Sequence, residues 1–82
     1  MKSMKRIEIN GYIVADPEIC HGKPTFKNTR IMVWQVLEML SSGLSTEGIL
    51  QAFPSLTSMH IKFALDYAAD LTRGQDYVLL KV

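Results

Sequence analysis

Residues 16–33 read DPEICHGKPTFKNTRIMV, so two prolines, a glycine and an Asn-Thr-Arg corner stand directly ahead of an apolar helical run. Pro17 and Pro24 lock φ and remove two N–H donors, while Gly22 and Asn28 are residue types that accept left-handed conformations at turns. Backbone geometry is fixed here before any chemistry. The stretch predicts a shaped platform of short extended pieces feeding a helix that begins near Met32.

Upstream, Ile7 and Ile9 alternate with Arg6 and Glu8, and after Asn10-Gly11 the run Tyr12-Ile13-Val14 resumes in extended-type residues. Asn-Gly between such runs predicts a hairpin with a type I′ turn, which needs positive φ at both positions. A second extended pair is expected to flank Gly22 and reach Phe26, with Thr29 to Ile31 closing it. Strands this short and few make no sheet with its own core. They must lie on the helices or pair across a dimer.

Downstream, a first helix is expected over residues 32–42 with Gly43 as its stop. Gln35, Glu38 and Ser42 leave one narrow wet stripe, and Val33, Trp34, Val36, Leu37, Met39 and Leu40 fill the rest. Trp34 reads as a core aromatic, with an interface anchor as the alternative. Ser45 is a good N-cap for a short second helix that turns Ile49, Leu50 and Phe53 inward and ends at Pro54. Thr57 or Ser58 caps a third helix that reaches about Thr72, with Gly74 terminating it. Ile61, Ala64, Leu65, Ala68 and Leu71 follow its core pattern, and Met59, Phe63 and Tyr67 form a second apolar row that needs a cover. The tail, residues 75–82, carries Tyr77, Leu79 and Leu80; it is expected either to pack back on that row or to join it as a partner or dimer interface.

The fold class that follows is mainly α in a single domain. Residues 1–31 form a short β-hairpin platform and dimerisation segment, residues 32–74 a three-helix, homeodomain-like helix-turn-helix bundle, and residues 75–82 an apolar tail. Eighty-two residues hide only about 60 to 65% of their unfolded surface. One cysteine allows no internal disulfide, and 48% of the residues are hydrophobic, so a homodimer or an obligate partner is expected to supply the missing burial. The opening MKSMKR is too polar to begin a secretory signal, and no apolar run approaches the roughly 20 residues that span a bilayer. A cytoplasmic protein with a free thiol is the expectation.

Chemistry is thinly represented. Asp16 and Glu18 share an extended segment without a base, nucleophile or metal cluster beside them, Cys20-His21 is adjacent rather than at ligand spacing, and His60 has no second ligand nearby. No catalytic residue, metal or cofactor is assigned. A net charge of +1 is not the footprint of a strong nucleic-acid binder, but basic residues gather in the N-terminal half. Lys23, Lys27 and Arg30 are DNA-binding candidates on the platform, although Lys23 and Lys27 read more simply as a solvated basic face. In a helix-turn-helix the start of the third helix enters the major groove, which adds Ser58, His60 and Lys62 as candidates. Arg30 is expected to use its five-donor fork on the corner or on a dimer contact.

Asp16-Pro17, Gly22-Lys23-Pro24, Thr29-Arg30-Ile31, Val33, Gly43, Ser45, Pro54 and Leu56-Thr57 stand at spacings that resemble the domain-of-unknown-function 433 family over about residues 16–70. The chain departs at Asn28, where the family usually has glycine, and at Gly48, where it favours glutamate or another helix former. The family looks like small prokaryotic antitoxin-type proteins. The resemblance implies an antitoxin-like role: binding and neutralising a PIN-like nuclease toxin encoded alongside, and binding operator DNA as an autorepressor. The alternative is a protein-binding or dimerisation module with no DNA-binding activity.

Overall fold

The computed structural model describes residues 5–74. Three short strands, β1 (Ile7–Glu8), β2 (Ile13–Ala15) and β3 (Pro24–Phe26), form an antiparallel sheet in the order β1-β2-β3. Three helices follow: α1 (Val33–Ser41), α2 (Thr46–Ala52) and α3 (Ser58–Arg73). The sheet lies on the helices, because Ile13 and Phe26 join Val33, Val36, Ile49, Leu56, Ile61 and Ala64 in one buried cluster.

The hairpin is not the one that Asn-Gly predicts. Ile7 pairs with Ala15 and Glu8 with Val14, and the Ile9 amide donates to the Ile13 carbonyl at 2.9 Å, so the loop holds Asn10, Gly11 and Tyr12. Neither Asn10 nor Gly11 has positive φ. Instead Asn10 Oδ1 accepts the Tyr12 amide at 2.8 Å, a side-chain turn that asparagine supplies equally well. Register decides the outcome: a two-residue turn would turn Ile9 to the opposite face from Ile13, and Ile9 packs against the core as found.

Between β3 and α1 the chain closes a tight corner. Asn28 takes the left-handed conformation its type allows, at φ 64°. The Thr29 hydroxyl donates to the Phe26 carbonyl at 2.8 Å and accepts the Ile31 amide at 3.0 Å, while the Phe26 amide donates to the Ile31 carbonyl at 3.1 Å. Every backbone group of the corner that these bonds reach is satisfied within it.

The helix ends follow local chemistry. Gly43, at φ 99°, ends α1 with the Leu44 amide on the Met39 carbonyl at 3.1 Å and its own amide on Leu40 at 3.0 Å, a Schellman arrangement. Ser45 Oγ accepts the Gly48 amide at 3.1 Å at the start of α2, and Phe53 closes that helix ahead of Pro54. Gly48 itself needs no glycine. Its φ is negative, and a Cβ there would meet Ser45 Oγ at 3.5 Å, an ordinary contact. Gly48→Ala is expected to stabilise the chain by about 0.5–1 kcal/mol by removing backbone freedom from the unfolded state. A thermal melt checks it, and an unchanged or lower melting temperature counts against it.

Three apolar assignments change. Trp34 is 49% exposed rather than buried, because α1 turns Val33 and Val36 into the core and leaves Trp34 on the side of Glu38 and Ser41. On α3 the core side is set by Ile61 and Ala64, which brings Tyr67 against the cluster and leaves Leu65 about half exposed. Leu71 is also half exposed: beyond Tyr67 and Ala68 the rest of α3 is exposed among the described residues.

Candidate functional site

The start of α3 is built inward. The Thr57 amide donates to His60 Nδ1 at 2.9 Å, and Thr57 Oγ1 lies 2.9 Å from the same nitrogen, so His60 fills the role that Glu or Gln plays in a capping box. Its ring meets Tyr12 edge-on at 4.8 Å and Phe26 edge-on at 5.5 Å, and Tyr12 in turn stacks on Phe63 at 4.7 Å. Burial pushes the His60 imidazole below its ordinary value of 6.5. His60 is therefore engaged with the core and the cap, while its neighbours Ser58 and Met59 are exposed. Lys62 is exposed too, but its Nζ holds Asp66 at 2.9 Å and sits 5.3 Å from the Phe63 ring.

The row of Met59, Phe63 and Tyr67 divides. Phe63 stacks on the hairpin loop, Tyr67 packs on the core, and Met59 stays 43% exposed. Tyr77, Leu79 and Leu80 lie outside the described residues.

On the platform, Lys27 Nζ pairs with Glu8 at 2.8 Å, and Arg6 reaches the other oxygen of the same carboxylate at 3.1 Å. The Lys27 hydrogen bond and charge hold Glu8 below the usual carboxylate range. Lys23 and Arg30 are exposed, and neither side chain has a hydrogen bond or ion pair among the described residues. The corner role expected of the Arg30 fork is thus corrected, since the shorter Thr29 hydroxyl closes the corner from within and Arg30 is exposed, while the dimer contact offered beside it would need a second copy of the chain. No hydrogen bond or ion pair joins the platform candidates to those on α3 among the described residues.

One feature gave no signal in the sequence. Cys20 and His21 take positive φ, 51° and 59°, directly before Gly22 at 83°. Such conformations cost about 1–2 kcal/mol for each residue that carries a Cβ. The turn is held by the Gly22 amide on Ile19 at 3.0 Å, the Lys23 amide on Cys20 at 3.1 Å, and the Cys20 thiol on the Arg30 carbonyl at 3.6 Å. Beside it lies an open depression of about 430 Å³ lined by Lys5, Ile7, Ala15, Pro17, His21 and Gly22. Among the described residues no three His, Cys, Asp or Glu side chains gather at metal-binding distance, and no helix is long and apolar enough to cross a membrane.

Left exposed are Trp34, Leu44, Met59, Leu65 and Leu71 on and between the helices, and on the platform Lys5, Lys23 and Arg30, whose side chains make no hydrogen bond or ion pair among the described residues. Against known proteins, a family model described as "Protein of unknown function (DUF433)" matches residues 13–68. The chain is also 36% identical over 64 residues to the uncharacterized protein y4eO of Sinorhizobium fredii (strain NBRC 101917 / NGR234), an alignment that covers 77% of this chain and 29% of that relative. The chain thus spans less than a third of the length of the relative it matches. No solved structure matches it. Since the matched residues run from β2 into α3 and take in the whole buried cluster, the chain belongs to the DUF433 family of proteins of unknown function.

Proposed function

We propose that this chain is an antitoxin-like recognition protein of the cytoplasm that binds and neutralises a PIN-like nuclease toxin through its helical surface. The observation that carries the reading is the balance of that surface. Large apolar side chains stand half exposed on α1 and α3, led by Trp34, while the cations nearest a groove-reading position are engaged, Lys62 by Asp66 and Lys27 by Glu8. Tryptophan and arginine are the residues most often responsible for binding energy at protein interfaces. Exposed Trp34 and Arg30 suit a protein partner better than a phosphate backbone, which asks for a field of free cations. The identity of the partner as a PIN-like nuclease comes from the family resemblance.

The test is co-expression with the product of the adjacent gene, followed by co-purification and a nuclease assay. A stable complex with a PIN-like nuclease whose RNA cleavage is suppressed is the expected result. Trp34→Ala should weaken the complex by about thirtyfold, the loss expected of an interface anchor worth about 2 kcal/mol, with the melting temperature unchanged. A nuclease that cuts equally well with and without this chain overturns the reading. Operator binding is the subsidiary function; it would use exposed Ser58 and Lys62 at the start of α3 with Lys23 and Arg30, and a gel shift unaffected by Lys62→Ala and Arg30→Ala would remove it.

A further inference from the structure

We propose that β1 is the seam of a two-fold homodimer, in which two copies of β1 pair antiparallel about Ile7 and join their sheets into one. The inference rests on the edge of the sheet and is independent of the nuclease-binding reading.

The sheet order places β1 at an edge, and among the described residues no strand lies beyond it. Which of its backbone groups face outward follows from the ladder. The Ile9 amide bonds to the Ile13 carbonyl, so by antiparallel alternation Ile7 directs its amide and carbonyl toward Ala15, and Arg6 and Glu8 direct theirs to the open edge. A two-fold axis at Ile7 sets Arg6 of one protomer opposite Glu8 of the partner subunit, twice. The residues whose backbone groups need partners are therefore the residues whose side chains carry opposite charge.

Register is specified by the same charges. Moving the axis by one residue places Arg6 against its own copy or Glu8 against its own copy, and like charges directly opposite destabilise a strand pair. Only the axis at Ile7 makes the seam self-complementary, as an isologous interface must be. At that axis the two isoleucines form a non-hydrogen-bonded pair, the kind in which side chains approach most closely. Ile7 is 63% exposed, the most exposed large apolar side chain described, and it lines the 430 Å³ depression with Ala15 and Pro17 beside Lys5 and His21, so its copy would cover exposed apolar surface there. The seam is short, which places the association at the weak end of specific contacts and makes it dependent on concentration.

Sedimentation equilibrium of the full chain over a concentration series reads the result. The mass is expected to rise from 9.3 kDa toward twice that value. Arg6→Glu alone and Glu8→Arg alone each turn both attractive pairs repulsive, and self-association should weaken about tenfold or more. An equimolar mixture of the two variants restores opposite charges across the seam and should recover the dimer as a heterodimer. Circular dichroism accompanies each variant, since Glu8→Arg also loses the Lys27 pair whereas Arg6→Glu keeps it. A wild-type chain that stays monomeric throughout overturns the proposal. So do folded single variants that dimerise as the wild type does, or a mixture that fails to recover association.

Discussion

Phe26→Ala is expected to leave most of the chain unfolded at 25 °C. Phe26 is the largest fully buried side chain, and it ties together three parts of the molecule. It pairs with Ile13 at the end of β3, its amide and carbonyl anchor the corner through Ile31 and Thr29, and its ring meets His60 on α3. Truncating a buried phenylalanine costs about 3–5 kcal/mol through lost transfer energy and the cavity left behind. A chain of this size has about 4–12 kcal/mol in total, with small domains toward the lower end. Circular dichroism with urea titration measures the loss. Phe26→Leu keeps most of the volume and should cost far less. A Phe26→Ala chain that melts within about 5 °C of the wild type would mean that the sheet is not part of the cooperative unit.

His60→Ala should cost about 2–4 kcal/mol, a capping contribution near 1 and aromatic contacts of about 0.5–1.5 each with Tyr12 and Phe26. The same residue should make stability depend on pH in a defined direction. Burial lowers the folded-state value beneath 6.5, and Nδ1 must be unprotonated to accept the Thr57 amide. The neutral ring is therefore the form the fold prefers. Its contribution is fully present above pH 6.5 and is lost as pH falls through 6.5 toward the lower folded value. Urea midpoints at pH 7.5 and pH 5.5 should separate for the wild type. His60→Gln retains a cap acceptor without titrating in this range, so its two midpoints should lie closer together. If His60→Gln is as sensitive to pH as the wild type, His60 is not the group that makes stability depend on pH.

Features set by a few neighbouring residues are legible in the amino-acid sequence itself. Gly43, Ser45 and Asn28 behave as their types dictate, since a left-handed turn or an N-cap depends on backbone chemistry within four residues. Trp34, Leu65 and Leu71 are not legible in this way, because periodicity gives the direction of a side chain and says nothing of whether another element lies in that direction. The hairpin shows the two levels in competition: Asn-Gly favours a two-residue turn, and the placement of Ile9 on the core face requires three. The left-handed pair at Cys20 and His21 is imposed by a frame of hydrogen bonds and leaves no mark in residue type. At the candidate surface, His60 is legible as a polar group at the start of α3 but not as a cap, since whether its ring turns outward or inward depends on Tyr12, which precedes it by forty-eight positions.

The stacking of Tyr12 on Phe63, with Asn10 Nδ2 on the Phe63 carbonyl at 3.5 Å, also has a kinetic meaning. It joins segments separated by 53 residues at the Asn10 bond, whereas β3, its corner and the start of α1 are consecutive. Closing the longer loop demands more chain entropy before any contact rewards it. The hairpin loop and α3 are thus a clasp that shuts late in folding and opens early under stress.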